Sequence, residues 1–221
     1  MLWPTPVALV ACQGRDGPAN LLTIAWTGIV CTKPPMLSIA VTPARHSFRL
    51  LQETGEFTVN LPTTTLVRAV DHCGVRSGRD EDKWQRVGLT PLPALEVGAP
   101  LVAECPVNLE CRVDRTLELG SHVLFVAEIL RVHVDPRLVD ARGRLALERA
   151  GLLAFCHGHY YALGRQLGHF GFSVRRHPSR HPDRHPDRHT GSHPDRHPDR
   201  HTNRQPDPHP ARHPRPPKGH P

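Results

Sequence analysis

The lengths of the connections constrain this chain more than any single motif does. Short apolar runs follow one another at Pro6 to Cys12, Leu21 to Cys31, Met36 to Thr42, Glu56 to Leu61, Leu101 to Val113 and Val123 to Val134, with a weaker one at Leu152 to His157. Most of the gaps between them are too short for the helix crossover that successive parallel strands need. A parallel α/β sheet is therefore disfavoured. A closed or partly open antiparallel barrel, mainly β with a few short helices, is the expected architecture.

Turn chemistry separates these runs. Gly14, Asp16, Gly17 and Pro18 mark a turn after the first, and Lys33-Pro34-Pro35 interrupts the second, because proline cannot donate to a sheet ladder. Ser47 to Thr54 has helical periodicity, with Phe48, Leu51 and Leu50 as inward candidates, and Gly55 stops it. Thr64 to Cys73 reads as a second helix closed by Gly74. Arg76 to Asp82 is a charged surface loop, Lys83 to Val87 a helical turn, and Pro91 to Pro100 a proline-rich connector. Leu119-Gly120-Ser121-His122 is the expected turn of a long hairpin.

Composition divides the chain near Arg176. Residues 177–221 contain no Val, Ile, Leu, Phe, Tyr or Trp, and HPDR recurs at His181, His185, His193 and His197. Such a segment cannot bury a core and is expected to be disordered, leaving 1–176 as the folded domain. The formal charge of +7 divides into +4 on the tail, from eight Arg, one Lys and five Asp, and +3 on the rest. That remainder is too small to argue for nucleic acid. The six cysteines form no CxxC pair, and several sit in apolar runs, where a small buried hydrophobe is the simpler reading. No signal peptide or membrane-length apolar run is apparent, so a cytoplasmic setting is the default expectation.

The common catalytic signatures are missing: no GxGxxG after a strand, no Walker A, no HExxH, no GxSxG. Reactivity is then expected from a bound cofactor, with the protein supplying position and electrostatics. Thr42-Pro43-Ala44-Arg45-His46-Ser47 leads into a helix. Ser47 can cap it, the helix N-terminus presents free N–H groups to an anion, and Arg45 adds a fork matched to phosphate oxygens. The plainer alternative is an ordinary cap beside a solvated arginine. His157-Gly158-His159 has the spacing of a metal pair but lacks further ligands, so no metal site is assigned. The ten histidines of the tail can bind transition metals weakly and at many sites.

The colinear order of TIAWTG, TPARHS, FTVNLP, CGVRSGRDEDKW and LGSH resembles the flavin reductase-like family over roughly Pro6 to Val174. That resemblance implies an FMN-binding split β-barrel, Greek-key and antiparallel, assembled as a homodimer. It implies that Thr23, Ala25, Trp26 and Thr27 wall the flavin, that Thr42, Arg45, His46 and Ser47 hold its phosphate, and that Ser77 and Lys83 add contacts. Asn60 is implied either as a flavin ligand or as a brace for a neighbouring loop. His122 is implied near the exposed flavin face, to steer nicotinamide or hold a water, or else as a plain hairpin histidine. The chain departs from the family pattern at Trp84, where Phe is usual, and at Ala127-Glu128, where a glycine precedes the glutamate. The implied activity is hydride transfer from NAD(P)H to FMN, with electrons passing to free flavin, oxygen, a ferric complex or a redox protein, and no protein acid or base assigned. A non-enzymatic FMN electron carrier and a metal-binding protein acting through the tail are the alternatives.

Overall fold

A computed structural model describes residues 2–174. The tail expected to be disordered and the proposed boundary at Arg176 lie outside the described residues. The chain divides into a compact unit ending at Gly168 and a second segment beginning at His169, of which one 3-10 turn, Phe172–Val174, is described.

The compact unit runs β1 (Thr5–Pro6), β2 (Ala8–Cys12), β3 (Asn20–Ile24), β4 (Thr27–Thr32), β5 (Pro35–Val41), α1 (His46–Thr54), β6 (Glu56–Leu61), α2 (Val67–Val75) and α3 (Lys83–Val87). It continues with β7 (Pro91–Leu92), β8 (Leu101–Val102), β9 (Val107–Glu118), β10 (Val123–Val134), β11 (Leu153–Cys156) and β12 (His159–Ala162). Seven strands form one sheet in the order β3-β2-β6-β9-β10-β5-β4, antiparallel at every pairing. The sheet curls into a half-barrel, as the short connections required. β1, β11 and β12 form a separate three-stranded sheet, and β7 with β8 a two-stranded one.

Strand periodicity explains how the sheet is filled. On β2, Ala8, Val10 and Cys12 face the barrel interior with Ile24, Ile39, Phe57, Phe125 and Leu51. The alternate residues Leu9 and Ala11 face a second core built from Leu21, Val70, Cys73, Trp84, Val102 and Leu153. β2 is thus buried on both faces, which is why it reads as an unbroken apolar run.

The structure refines several boundaries. The run from Leu21 to Cys31 is two strands, broken at Ala25-Trp26. α2 continues through Gly74 to Val75 instead of ending there, and Gly74 lets the helix lie close to Thr23: a Cβ would sit 3.3 Å from Thr23 Cβ. On α1, Leu50 and Leu51 are buried with Ser47, whereas Phe48 is partly exposed, edge-on to Phe125. The HxH pair belongs to a hairpin whose turn is His157-Gly158, both at positive φ, with Cys156 opposite His159. That two-residue turn creates β12, a strand the sequence pattern did not reveal.

Candidate functional site

Two adjoining cavities gather most of the expected site residues. The first, about 240 Å³, opens where the chain leaves β3 at Ala25 and re-enters the sheet on β4. The Trp26 carbonyl accepts the Ala40 N–H at 2.9 Å, which fixes this crossing beside the end of β5. Thr23, Ala25, Trp26 and Thr42 line the cavity, with Arg45, His122 and Phe155 completing it. Trp26 is no core filler: it is 45% exposed, and its ring lies tilted against Trp3 at 5.6 Å. His122 reaches the cavity from the β9–β10 turn, its Nδ1 2.9 Å from Ser121 Oγ. That turn closes where expected, with Leu119 N–H donating to the His122 carbonyl at 2.8 Å.

The second cavity, about 170 Å³, surrounds the N-terminus of α1 and collects Arg45, His46, Ser47, Ser77 and Lys83. Leu22 and Arg45 line both cavities, so the two are joined at that wall. Arg45, not Ser47, is the residue that precedes the first helical turn, and no side chain caps the helix. Of the first-turn amides, Phe48 N–H donates to the Arg45 carbonyl at 3.0 Å, and those of His46 and Ser47 precede the first intrahelical bonds, as at any helix start. Ser47 is buried one residue inside the helix, its Oγ accepting from Asn20 Nδ2 at 2.7 Å. Arg45 donates one N–H to the Gly74 carbonyl at 3.1 Å, which holds its guanidinium across the gap between α1 and α2.

Positive charge concentrates at this second cavity. Arg76 and Arg79 line it beside Arg45 and Lys83. Lys83 is buried, and its ammonium donates to the carbonyls of Leu21 and Cys73 at 2.8 and 2.9 Å, leaving one of three N–H groups uncommitted among the described residues. Burial pulls the Lys83 ammonium below its ordinary value. His46 is held below the usual imidazole range first by burial and then by the neighbouring Arg79, Arg49 and Lys83 charges. An anion in this cavity would relieve that repulsion.

The loop from Arg76 to Asp82, expected as surface, is the far wall of this cavity. It approaches so closely that a Cβ on Gly78 would stand 2.0 Å from Asn20 Oδ1 and 3.1 Å from His46 Cδ2. Ser77 accepts the Arg79 N–H and fixes the turn. Asp82 caps α3 through the amides of Trp84 and Gln85, and Trp84 donates from its indole to the Ala19 carbonyl at 3.1 Å. The large aromatic at this position therefore has a polar partner that a phenylalanine would lack.

Three expected contacts fare differently. Asn60 is fully buried away from both cavities; it donates to the Leu9 carbonyl and Thr58 Oγ1 and accepts from Val102 N–H, so bracing is its role. Thr27 lies on β4 opposite Ile39 and lines neither cavity. Thr23 lines the first cavity, but its hydroxyl donates to the Val70 carbonyl at 2.5 Å and anchors α2. Asn20, Gly78, Arg76 and Arg79 were not singled out in the sequence. The clustered arginines of VRSGR were a visible signal for the last two; nothing local marked Asn20.

Comparison with known proteins identifies the family and the fold. The flavin reductase like domain matches residues 1–164. An uncharacterized protein of Archaeoglobus fulgidus is 37% identical over 131 residues, covering 59% of this chain and 73% of that one. Among solved structures, flavoredoxin of Desulfovibrio vulgaris (Miyazaki F) superposes with a TM-score of 0.74 at 33% identity, covering 79% of this chain and 95% of that one. Nitrilotriacetate monooxygenase component B from Bacillus cereus gives 0.70 at 25% identity, over 76% and 88%. The chain belongs to the flavin reductase-like domain family, and a flavin is the ligand class this family membership supports. No helix among the described residues is long and apolar enough to cross a membrane.

Proposed function

We propose that the protein is an FMN-binding oxidoreductase that transfers hydride from NAD(P)H to flavin and hands the electrons to a further acceptor. The observation that carries this reading is the junction at Arg45: an apolar slot between Ala25, Trp26 and Phe155 continues into a cation-lined cavity at a helix N-terminus. A ligand with a planar ring system at one end and a terminal phosphate at the other matches both. FMN fits that description, and its ring supplies hydride acceptance and onward electron transfer when bound. Arg45, Lys83, Arg76, Arg79 and the first amides of α1 would hold the phosphate. Ala25 and Trp26 would set the ring's edge, and His122 would orient the nicotinamide over its open face. None of these residues needs to exchange a proton; their work is position and exclusion of side reactions.

The acceptor class is free flavin, oxygen, a ferric complex or a redox protein, and the setting we propose is the cytoplasm. A homodimer is part of the proposal. β4 is an edge strand exposing Ile29 at 65% and Val30 at 52%, next to Trp26 at the mouth of the first cavity. An apolar edge of this kind is normally covered.

The structural likeness to two flavoredoxins favours a second reading, an FMN electron carrier reduced by another protein. Steady-state oxidation of NADH and NADPH with added FMN decides between them. Turnover supports the reductase. A yellow protein that binds FMN but oxidises neither nucleotide supports the carrier, and a protein that binds no flavin defeats both.

A further inference from the structure

An open groove of about 810 Å³ runs between α2 and the β11–β12 hairpin. It shares Val75 and Arg76 with the cation-lined cavity. It also abuts the first cavity through a ring pair: Phe155, which lines that cavity, lies tilted against Tyr160 of the groove at 5.4 Å. Tyr160, Val67 and Val75, the last 68% exposed, give the groove apolar surface on which a flat base could rest.

Its charge is unbalanced. The groove and the cation-lined cavity together carry Arg45, Arg68, Arg76, Arg79 and Lys83 against one carboxylate, Asp71. That carboxylate already accepts the Tyr160 hydroxyl at 3.3 Å, and Glu81, outside the lining, is taken up by His72 Nε2 at 2.5 Å. A phosphate monoester brings about −1.5 to −2 charges, so a single flavin phosphate leaves an excess of about two positive charges. Arg68 and Arg76 are exposed, and neither side chain is hydrogen-bonded or ion-paired among the described residues. They stand near the two ends of α2, about 12 Å apart at the helical rise. The carbonyls that would repel an anion at the C-terminus of α2 are engaged: His72 by the Arg76 amide, Cys73 by Lys83 and Gly74 by Arg45. The groove therefore offers two separate anion positions beside an apolar floor.

We propose, on the reductase reading above, that this groove is the adenosine subsite of the nicotinamide nucleotide, and that Arg68 makes it selective for NADPH over NADH. Arg68 would pair with the phosphate that only NADPH carries on its adenosine ribose, the pyrophosphate would pass Arg76, and the adenine would rest on Tyr160 and Val75. The test titrates NADP⁺ and NAD⁺, oxidised nucleotides that deliver no hydride, into the full chain by calorimetry at low salt, with and without saturating FMN. NADP⁺ should bind at least about tenfold tighter than NAD⁺. Arg68→Ala should remove that preference, weakening NADP⁺ about tenfold or more and leaving NAD⁺ and FMN unchanged. Arg86→Ala, at an exposed arginine of α3 outside the groove, should keep it in full. Equal binding of NADP⁺ and NAD⁺, a preference that survives Arg68→Ala or is lost in Arg86→Ala, or no NADP⁺ binding up to about 10 mM would each overturn the assignment. Failure of the flavin reading is distinguishable: a chain that binds no FMN but prefers NADP⁺ through Arg68 keeps the groove and loses the flavin, and one that binds FMN without the preference does the reverse.

Discussion

At the scale of single residues, the site is an arrangement of positive charge. Arg45 and Leu22 stand where the two cavities meet, and of the two only Arg45 carries a charge, so its removal should act chiefly on an anionic group. A hydrogen bond to a charged group contributes about 1.5–3 kcal/mol. Arg45→Ala should therefore weaken FMN by about 10- to 100-fold and leave riboflavin, which lacks the phosphate, nearly unchanged; fluorescence titration of both ligands measures it. Equal losses would place the phosphate elsewhere. His46 supplies an independent readout. Burial and the cations around it lower its folded pKa, so its contribution to stability is full above the unfolded value near ~6.5 and is lost as the pH falls. A bound phosphate offsets those cations and should raise the His46 pKa, so binding should take up protons between the free and bound values. An NMR titration of His46 with and without FMN checks this; an unmoved resonance would remove the anion from this cavity.

At the scale of elements, two connections with little regular structure carry more than the strand pattern announces. The loop after α2 is pressed onto Asn20 at Gly78. Gly78→Ala should push Asn20 off Ser47, cost about 1–3 kcal/mol and weaken FMN. Gly28→Ala, on the exposed edge strand with open space around it, is the control that should do neither; urea denaturation with FMN titration compares them. The connector from Pro91 to Pro100 is tied down by Glu110, which takes the amides of Leu95, Glu96 and Val97 and the ring of His133. Burial pushes the Glu110 carboxyl up, but the bonds from His133, Glu96 and Leu95 outweigh it and hold it low. Its stabilisation is thus full above the unfolded value near ~4.3 and lost as the pH falls through the lowered folded value. Glu110→Gln should cost about 2–3 kcal/mol at neutral pH and reduce the fall in stability between pH 5 and 3, read by denaturation across that range. Neither tie was legible beforehand. The longer strands and α1 were, because each follows a local period of two or 3.6 residues. The ties to Asn20 and Glu110 join residues 58 and 14 apart, and no local period encodes such pairs.

At the scale of the whole molecule, β4 leaves an apolar edge beside the first cavity, where the flavin ring is proposed to lie. Ile29→Arg should convert the proposed dimer to a monomer by sedimentation and weaken FMN with it; a wild-type monomer that binds FMN tightly would end the interface proposal. The repeat segment 177–221 lacks residues to form a core. Truncation after Arg176 should preserve FMN binding while removing most Ni²⁺ retention at neutral pH, measured on a nickel column and by flavin titration. The sequence by itself determined the antiparallel class, most of the long strands, the α1 corner at Arg45 and the family, because connection length, periodicity and colinear motifs are properties of the chain taken in order; it did not reveal β7 or β12, and it ran β3 into β4 and β8 into β9. Only the tertiary structure decided that Ser47 binds Asn20 instead of capping, that Asn60 braces the second core, that Trp26 faces outward, and that the VRSGR loop closes the cation-lined cavity. Those outcomes depend on which surfaces meet when the sheet curls, and distant contacts of that kind leave no trace in the spacing of residues along the chain.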